Sequence, residues 1–285
     1  MDSFGAADIV AATALGELQI RSGPGGPTAE LADYYCIEGR GFGGYTAALA
    51  VLAASADAGA MCLRSVRVLF TGAAVPGELL LDVQPLGRGR TAAAYQVTIR
   101  QADAVVVSAS AWFTAPELLA SATSRRSTTE VPPPKDCPRV TWVEKSVPFL
   151  SGFEERAIDF PVTDEQFRDG RDSLALWAAP AWPLPVGDTM AERLSDIMLL
   201  DAHLMDPAQR AAPRGTSMTS LDLDVTWHTP IDVTRTPSAL TLIEAHARTD
   251  GLIADTRATL ADVAGLIRAT GTSQCRVYPP TGRRV

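Results

Sequence analysis

The sequence predicts an α+β protein made of two related halves, each a long helix followed by antiparallel strands that wrap around it. Two observations carry this expectation: a long helical pattern occurs once in each half, and each is followed by four strand-like segments separated by short turn signals.

The first helical pattern, residues 41–59, reads GFGGYTAALAVLAASADAG. After its glycines it is apolar or small on nearly every side, as in a helix buried all round. Strand-like segments follow. Ser65–Phe70 comes first, Glu78–Leu86 follows a Pro76-Gly77 turn, and Thr91–Gln101 follows Gly87-Arg88-Gly89-Arg90. Ala104–Thr114 follows a break at Ala102-Asp103. Their Val, Ile, Tyr, Trp and Phe content suits strands.

The second helical pattern is Asp188–His203. Met190, Leu194, Ile197 and Met198 fall at i, i+4, i+7 and i+8 and form one apolar face. Asp188 suits the N-cap, because its carboxylate can accept from the free N–H groups of the first turn. The strands expected next are Leu221–His228, Leu240–Ala247, Ile253–Ala261 and Leu266–Tyr278. Turn signals at Thr229-Pro230, Thr249-Asp250-Gly251 and Ala264-Gly265 separate them. Such short connections imply antiparallel pairing. Two half-sheets would each leave an open edge, and joining them side by side would cover those edges.

The stretch from Glu117 to Arg139 contains Ser-Arg-Arg-Ser-Thr-Thr and then Pro132-Pro133-Pro134, and reads as a linker. The expected organisation is a first half at 1–118, a linker at 119–140 and a second half at 141–285. A length of 285 residues fits two small domains or one large one. The chain is 46% hydrophobic and 20% charged, which is ordinary for a soluble globular protein.

No run of about 18 apolar residues occurs, so no membrane association is expected. Met1-Asp2-Ser3 lacks the basic start of a signal peptide. A net charge of -8 disfavours a nucleic-acid partner, which needs a basic surface. Lysine occurs only at Lys135 and Lys145, so arginine carries the other positive charges. That suits planar anions, or equally reflects genome composition. Cys36, Cys62, Cys137 and Cys275 have no C-x-x-C or metal-ligand spacing, and point to reduced thiols in the cytoplasm.

No cofactor or metal is expected. Asp201, His203 and Asp206 lie close in sequence, but their spacing does not share one helix face and Pro207 follows, so they read as a helix end. His228 and His246 read as structural. There is no G-x-S-x-G elbow, no Walker A and no G-x-G-x-x-G sequence.

Several short segments carry a family resemblance. They are Phe42-Gly43-Gly44, Arg64-Ser65-Val66-Arg67-Val68 and Ser110-Ala111-Trp112-Phe113-Thr114-Ala115-Pro116-Glu117 in the first half. In the second they are Ser195-Asp196, Ser220-Leu221-Asp222 and Trp227-His228, with Pro230 close behind. In order and spacing they resemble the acyl-CoA thioesterase II family, the TesB-like double-hotdog thioesterases, over nearly the whole chain. The resemblance implies a double hotdog: two antiparallel sheets, each wrapped around a long central helix. It also implies a water positioned by an Asp, a Thr or Ser, and a Gln. The matching positions are Asp196, Ser220 and, in the last strand, Gln274. Without a gap Ser273 takes the Gln position. One residue of slip reverses a strand side chain, and a bulge at Gly271 would correct it. The family's Gln after Phe-Gly-Gly is here Tyr45.

These residues suit thioester hydrolysis. Asp196, with Leu199 and Leu200 beside it, would accept a proton in partly apolar surroundings. Ser220 can hold a water against it, and the Gln274 amide can fix that water. The Gly43 and Gly44 N–H groups open a helix and suit a developing oxyanion, or else simply permit close packing. Phe42, Gly43, Gly44 and Tyr45 are thus the candidate substrate-binding residues.

The expected function is hydrolysis of acyl-CoA or acyl-carrier-protein thioesters, as in fatty acid metabolism, by a homo-dimer or tetramer. The alternative is a repurposed dehydratase, hydratase or cyclase acting on an acyl or polyketide-like substrate. The Gly-Asp-x-Asn-Pro-type segment of MaoC-type hydratases is absent. A third reading is an acyl-binding protein without turnover.

Overall fold

A computed structural model describes residues 8–120, 125–127, 130–141, 147–163, 166–228 and 240–280. The expected turn at Thr229-Pro230 and the terminal residues 1–7 lie outside the described residues.

Helix α1 spans Gly43–Ala58, and every residue from Gly44 to Ala54 is buried. Its alanines let neighbours approach closely, and Leu49, Val51 and Leu52 contribute about 1.5–3 kcal/mol each by burial. Gly59, at φ 64°, ends the helix in a conformation that side chains rarely adopt. Before α1 come β1 (Ile9–Thr13), β2 (Gly16–Ile20), β3 (Thr28–Leu31) and the two-residue strands β4 (Cys36–Ile37) and β5 (Arg40–Gly41). After it come β6 (Cys62–Phe70), β7 (Gly77–Arg88), β8 (Ala92–Gln101) and β9 (Ala104–Thr114).

The segment expected to be a linker carries some structure. It includes part of α2 (Pro116–Ala120), then β10 (Arg125–Arg126) and β11 (Arg139–Val140). The second half follows with β12 (Phe153–Asp159), β13 (Ser173–Pro180), α3 (Thr189–Leu204) and α4 (Asp206–Ala211). It closes with β14 (Ser217–Ser220), β15 (Asp222–Trp227), β16 (Thr241–Asp250), β17 (Ile253–Ala261) and β18 (Leu266–Tyr278). Asp188 caps α3 as its residue type predicts, accepting from Ala191 N at 2.9 Å.

The two strand blocks form one antiparallel sheet of 14 strands, in the order β11-β12-β13-β16-β17-β18-β15-β6-β9-β8-β7-β3, with β10 and β14 also paired to β18. The halves join at β6 and β15, where Val66 faces Val225. This is the hotdog arrangement, doubled: α1 packs on β6–β9, α3 packs on β16–β18, and the two helices pack on each other. The hairpin β1–β2 covers the helices on another side. Among the described residues, no helix is long and apolar enough to cross a membrane.

The helix pair meets at Gly44. A Cβ there would sit 2.7 Å from the Phe42 ring and 3.0 Å from Met198 Cα. A buried ionic group closes the C-terminal end of α3. His203, 1% exposed, puts Nδ1 2.9 Å from Asp206 Oδ2 and Nε2 3.2 Å from Glu155 Oε1 on β12. The Glu155 contact is an ion pair whose alignment falls short of a hydrogen bond. Burial opposes the imidazolium, but the Glu155 and Asp206 carboxylates outweigh it and raise the His203 pKa to about 10.

Two predictions follow from this packing. Gly44→Ala destabilises the fold by about 1–3 kcal/mol through overpacking; denaturant unfolding with an unchanged midpoint would contradict the close helix contact. The His203 group stabilises fully below pH 6.5, its ordinary value, and that contribution is lost as pH rises through about 10. Unfolding free energy measured across this window declines more steeply in the wild type than in His203→Gln. Parallel curves would mean that the imidazole gains nothing from its two carboxylates.

Candidate active site

Helix α3 supplies the acidic residues. Its pattern suggests one apolar and one solvated face, but the hairpin, α1 and the sheet enclose it. Arg193, Ser195, Asp196, Asp201 and His203 are therefore all buried. Ser195 Oγ accepts from Ala14 N at 2.9 Å and donates to Ala191 O at 2.8 Å, which ties α3 to the β1–β2 turn.

Asp196 is 4% exposed and both its oxygens are taken. Trp227 Nε1 donates to Oδ2 at 3.0 Å, and Arg268 Nη2 bonds Oδ1. The Arg193 guanidinium lies 5.0 Å over the Trp227 ring. Burial lowers the Arg193 pKa to about 10 against the opposing pull of Asp196, so it too is a cation at neutral pH. The partly apolar setting expected for Asp196 is thus replaced by an ionic one. The cause is a bulge. Leu260 faces Ala269 while Ala261 faces Ile267, so Arg268 is the extra residue and escapes the alternation of β18.

Ser220 lies elsewhere. It faces Cys275 across the β14–β18 ladder, where its hydroxyl lowers the Cys275 pKa. Trp227 faces Ala269 on the same strand, six positions away, or about 20 Å along it. No hydrogen bond joins Asp196 to Ser220 among the described residues. Gln274 is exposed, and its amide donates to Asp255 Oδ1 at 2.9 Å. The bulge expected at Gly271 is absent. Gly271 sits in regular register between Val225 and Ala258, where Leu200 packs against it. Strand alternation therefore keeps Gln274 outside and turns Ser273 inward, 3% exposed, with Oγ donating to Asp222 O at 2.7 Å.

The acid whose charge is felt at Cys275, opposite Ser220, is a different one. Asp201 is 6% exposed, and its Oδ2 accepts from Gly44 N at 2.6 Å, at the start of α1. Its Oδ1 is buried with no hydrogen-bond partner. Its charge reaches Cys275, whose thiol also touches Ser273 Oγ at 3.7 Å. Burial pushes the Cys275 pKa up to about 11, against the hydrogen bonds from Ser273 and Ser220, so the sulfur stays a thiol. Burial likewise pushes Asp201 up to about 6, although the Gly44 N–H pulls it down. A Cβ on Gly43 would lie 2.9 Å from both Asp201 Oδ2 and the partly exposed Phe70 ring. Gly43 and Gly44 are thus at this site.

Phe42 and Tyr45 are not beside Asp201 in the same way. Phe42 packs on Phe149 with centroids 5.0 Å apart. Tyr45 stacks on Tyr35 at 4.5 Å and donates its hydroxyl to Glu30 O at 3.0 Å. Burial raises the Tyr45 pKa to about 12, so it remains a neutral anchor. His203 points to Glu155 and Asp206, away from Asp201's partners. Among the described residues, no group of three or more His, Cys, Asp or Glu is placed to hold a metal.

Residues 31–114 match the acyl-CoA thioesterase N-terminal domain family. No curated protein matches in sequence. Solved structures match over most of both chains. A TesB protein of Mycobacterium avium subspecies paratuberculosis is 20% identical, with TM-score 0.74, covering 91% of this chain and 95% of that one. A conserved hot dog fold protein of unknown function from Alicyclobacillus acidocaldarius is 19% identical, with TM-score 0.78, covering 92% and 96%. The acyl-CoA thioesterase II TesB2 from Mycobacterium marinum is 17% identical, with TM-score 0.68, covering 90% and 94%. Residues 31–114 therefore match the acyl-CoA thioesterase N-terminal domain model, and the chain shares the hotdog fold of these structures along nearly its whole length.

Proposed function

We propose that the chain hydrolyses acyl thioesters of coenzyme A, or of a carrier protein, to a free acid and a thiol. The observation that carries this reading is the family match over residues 31–114, which spans all of α1 and its Gly43-Gly44 start. Against that start packs a buried carboxylate, whose charge is felt at Cys275, the cross-strand partner of Ser220 and a neighbour of Ser273.

Hydrolysis needs these groups together. A carboxylate takes a proton from water, hydroxyls orient that water, and helix N–H groups receive the charge that develops on the carbonyl oxygen. Gly43, the first residue of α1, has no acceptor for its N–H within the helix. Its N–H is the donor we assign to the oxyanion. The Gly44 N–H holds Asp201 instead. TesB proteins appear among the structural neighbours, which supports a thioester substrate.

A second reading, a hydratase, dehydratase or cyclase on an acyl or polyketide-like substrate, has one observation in its favour. The family's Asp, Ser and Gln positions, Asp196, Ser220 and Gln274, each bond to different partners. In either case we propose a homo-dimer or tetramer, whose contact would cover Leu69 and Trp112, exposed on the outer face of the sheet. The cysteines are unpaired, which supports a cytoplasmic setting.

The test is free-thiol release from acyl-CoAs of varied chain length and from acyl carrier protein. Multiple-turnover release with at least one of them is expected. No release from any, with a new carbon–carbon double bond or ring found in the acyl product, would replace the hydrolase by the second reading.

A further inference from the structure

We infer that Asp201, and not Asp196 at the family's position, is the general base of this site. The inference rests on the hydrolase reading and names the residue that takes the proton.

Five observations lead to it. Each Asp196 oxygen already accepts a hydrogen bond, from Trp227 Nε1 and from the Arg268 guanidinium, with which it forms an ion pair. Withdrawing it would strip the largely buried Arg268 cation of its ion-pair partner. Asp201, five residues and about 7.5 Å further along α3, has its Oδ1 buried and unpartnered. Its other oxygen is fixed by the Gly44 N–H at 2.6 Å, so the free oxygen is held in one orientation. Ser220 faces Cys275 across the β14–β18 ladder, Ser273 Oγ lies 3.7 Å from its sulfur, and the charge of Asp201 is felt there.

A purely structural role for Asp201 explains only half of this. Phe42 offers α1 no side-chain cap, so Asp201 caps that helix from across the fold. A cap uses one oxygen, and the second, buried and unpaired, then costs stability for nothing. A water bonded to that oxygen and to Ser220 removes the conflict and supplies the nucleophile. The raised pKa of Asp201, about 6, leaves it ionised at neutral pH yet a stronger base than an ordinary carboxylate.

The step balances as follows. Asp201 Oδ1 takes a proton from the water as the water oxygen bonds to the thioester carbonyl carbon. The carbonyl oxygen becomes the oxyanion, received by the Gly43 N–H. Collapse of the adduct breaks the C–S bond, and the leaving thiolate takes the proton back from Asp201. Phe70, lying over Gly43, must turn aside to admit the thioester.

The experiment measures kcat and KM for thiol release from pH 5 to 9 in the wild type, Asp201→Asn and Asp196→Asn, with the Tm of each. Asp201→Asn is expected to lower kcat by about 100-fold or more with KM little changed. In the wild type, kcat rises with pH through a midpoint at about 6, and the residual Asp201→Asn activity lacks that rise. Asp196→Asn is expected to lower Tm while keeping the rise in kcat. The opposite pattern overturns the inference but leaves the hydrolase reading intact: Asp201→Asn within a few fold of wild type, and Asp196→Asn inactive while folded. If Asp201→Asn does not fold, the wild-type profile decides, and a kcat flat from pH 5 to 9 overturns the assignment. Absence of thiol release by the wild type itself overturns the hydrolase reading and the inference with it.

Discussion

The hydrogen bond from Gly44 N to Asp201 Oδ2 joins the two halves at the point on which the site depends. It links the start of α1 to the inner part of α3, 157 residues apart in sequence. It can form only because residues 43 and 44 lack side chains: a Cβ on Gly43 would press on the carboxylate, and one on Gly44 would press on Met198. The same bond satisfies an N–H that α1 cannot satisfy itself, and holds an acid where the helix dipole favours negative charge. Structure and chemistry therefore share one contact.

That contact is held from two sides. The β6–β15 ladder closes the half-sheets into one surface beneath both helices, and the β1–β2 hairpin locks α3 from another direction through Ala14 and Ser195. Two bulges then turn arginines off the alternation of their strands. Arg268 is the extra residue of β18, and Arg64 is that of β6, between Leu63 and Ser65. Arg268 reaches Asp196 and converts a carboxylate that could have been a base into half of an ion pair. With that acid paired, the buried carboxylate oxygen of α3 that lacks a hydrogen-bond partner lies further along, at Asp201 Oδ1.

How much of this was legible follows from the range of each signal. The α1 helix announces itself, because a segment apolar all round has no other stable home, and β9, β17 and β18 match the expected bounds because strong turn signals flank them. The strands β1, β2, β3, β12 and β13 left no comparable mark. Ser173–Pro180, for example, is buried along most of its length and shows no alternation to read. The single 14-strand sheet was foreseeable as a need to cover edges, but not its β6–β15 register. At the site, Asp196 and Ser220 could be named by family position alone, yet Arg268's bulge carries no sequence pattern. Asp201 was visible only as part of a helix end, because the partner that gives it meaning sits in the other half. Gln274 shows the parity of a strand at work: with no bulge at Gly271, it faces solvent and Ser273 faces in.

The most direct measurement is a structure with a ketone analogue of an acyl-CoA, carbon replacing the thioester sulfur so that the carbonyl remains but cannot be cleaved. The account predicts the carbonyl oxygen on the Gly43 N–H, with the carbonyl carbon facing the open oxygen of Asp201 and Phe70 turned away from Gly43. A carbonyl seated instead against Asp196, with Arg268 displaced from it, would contradict the account and return the base to the family's position.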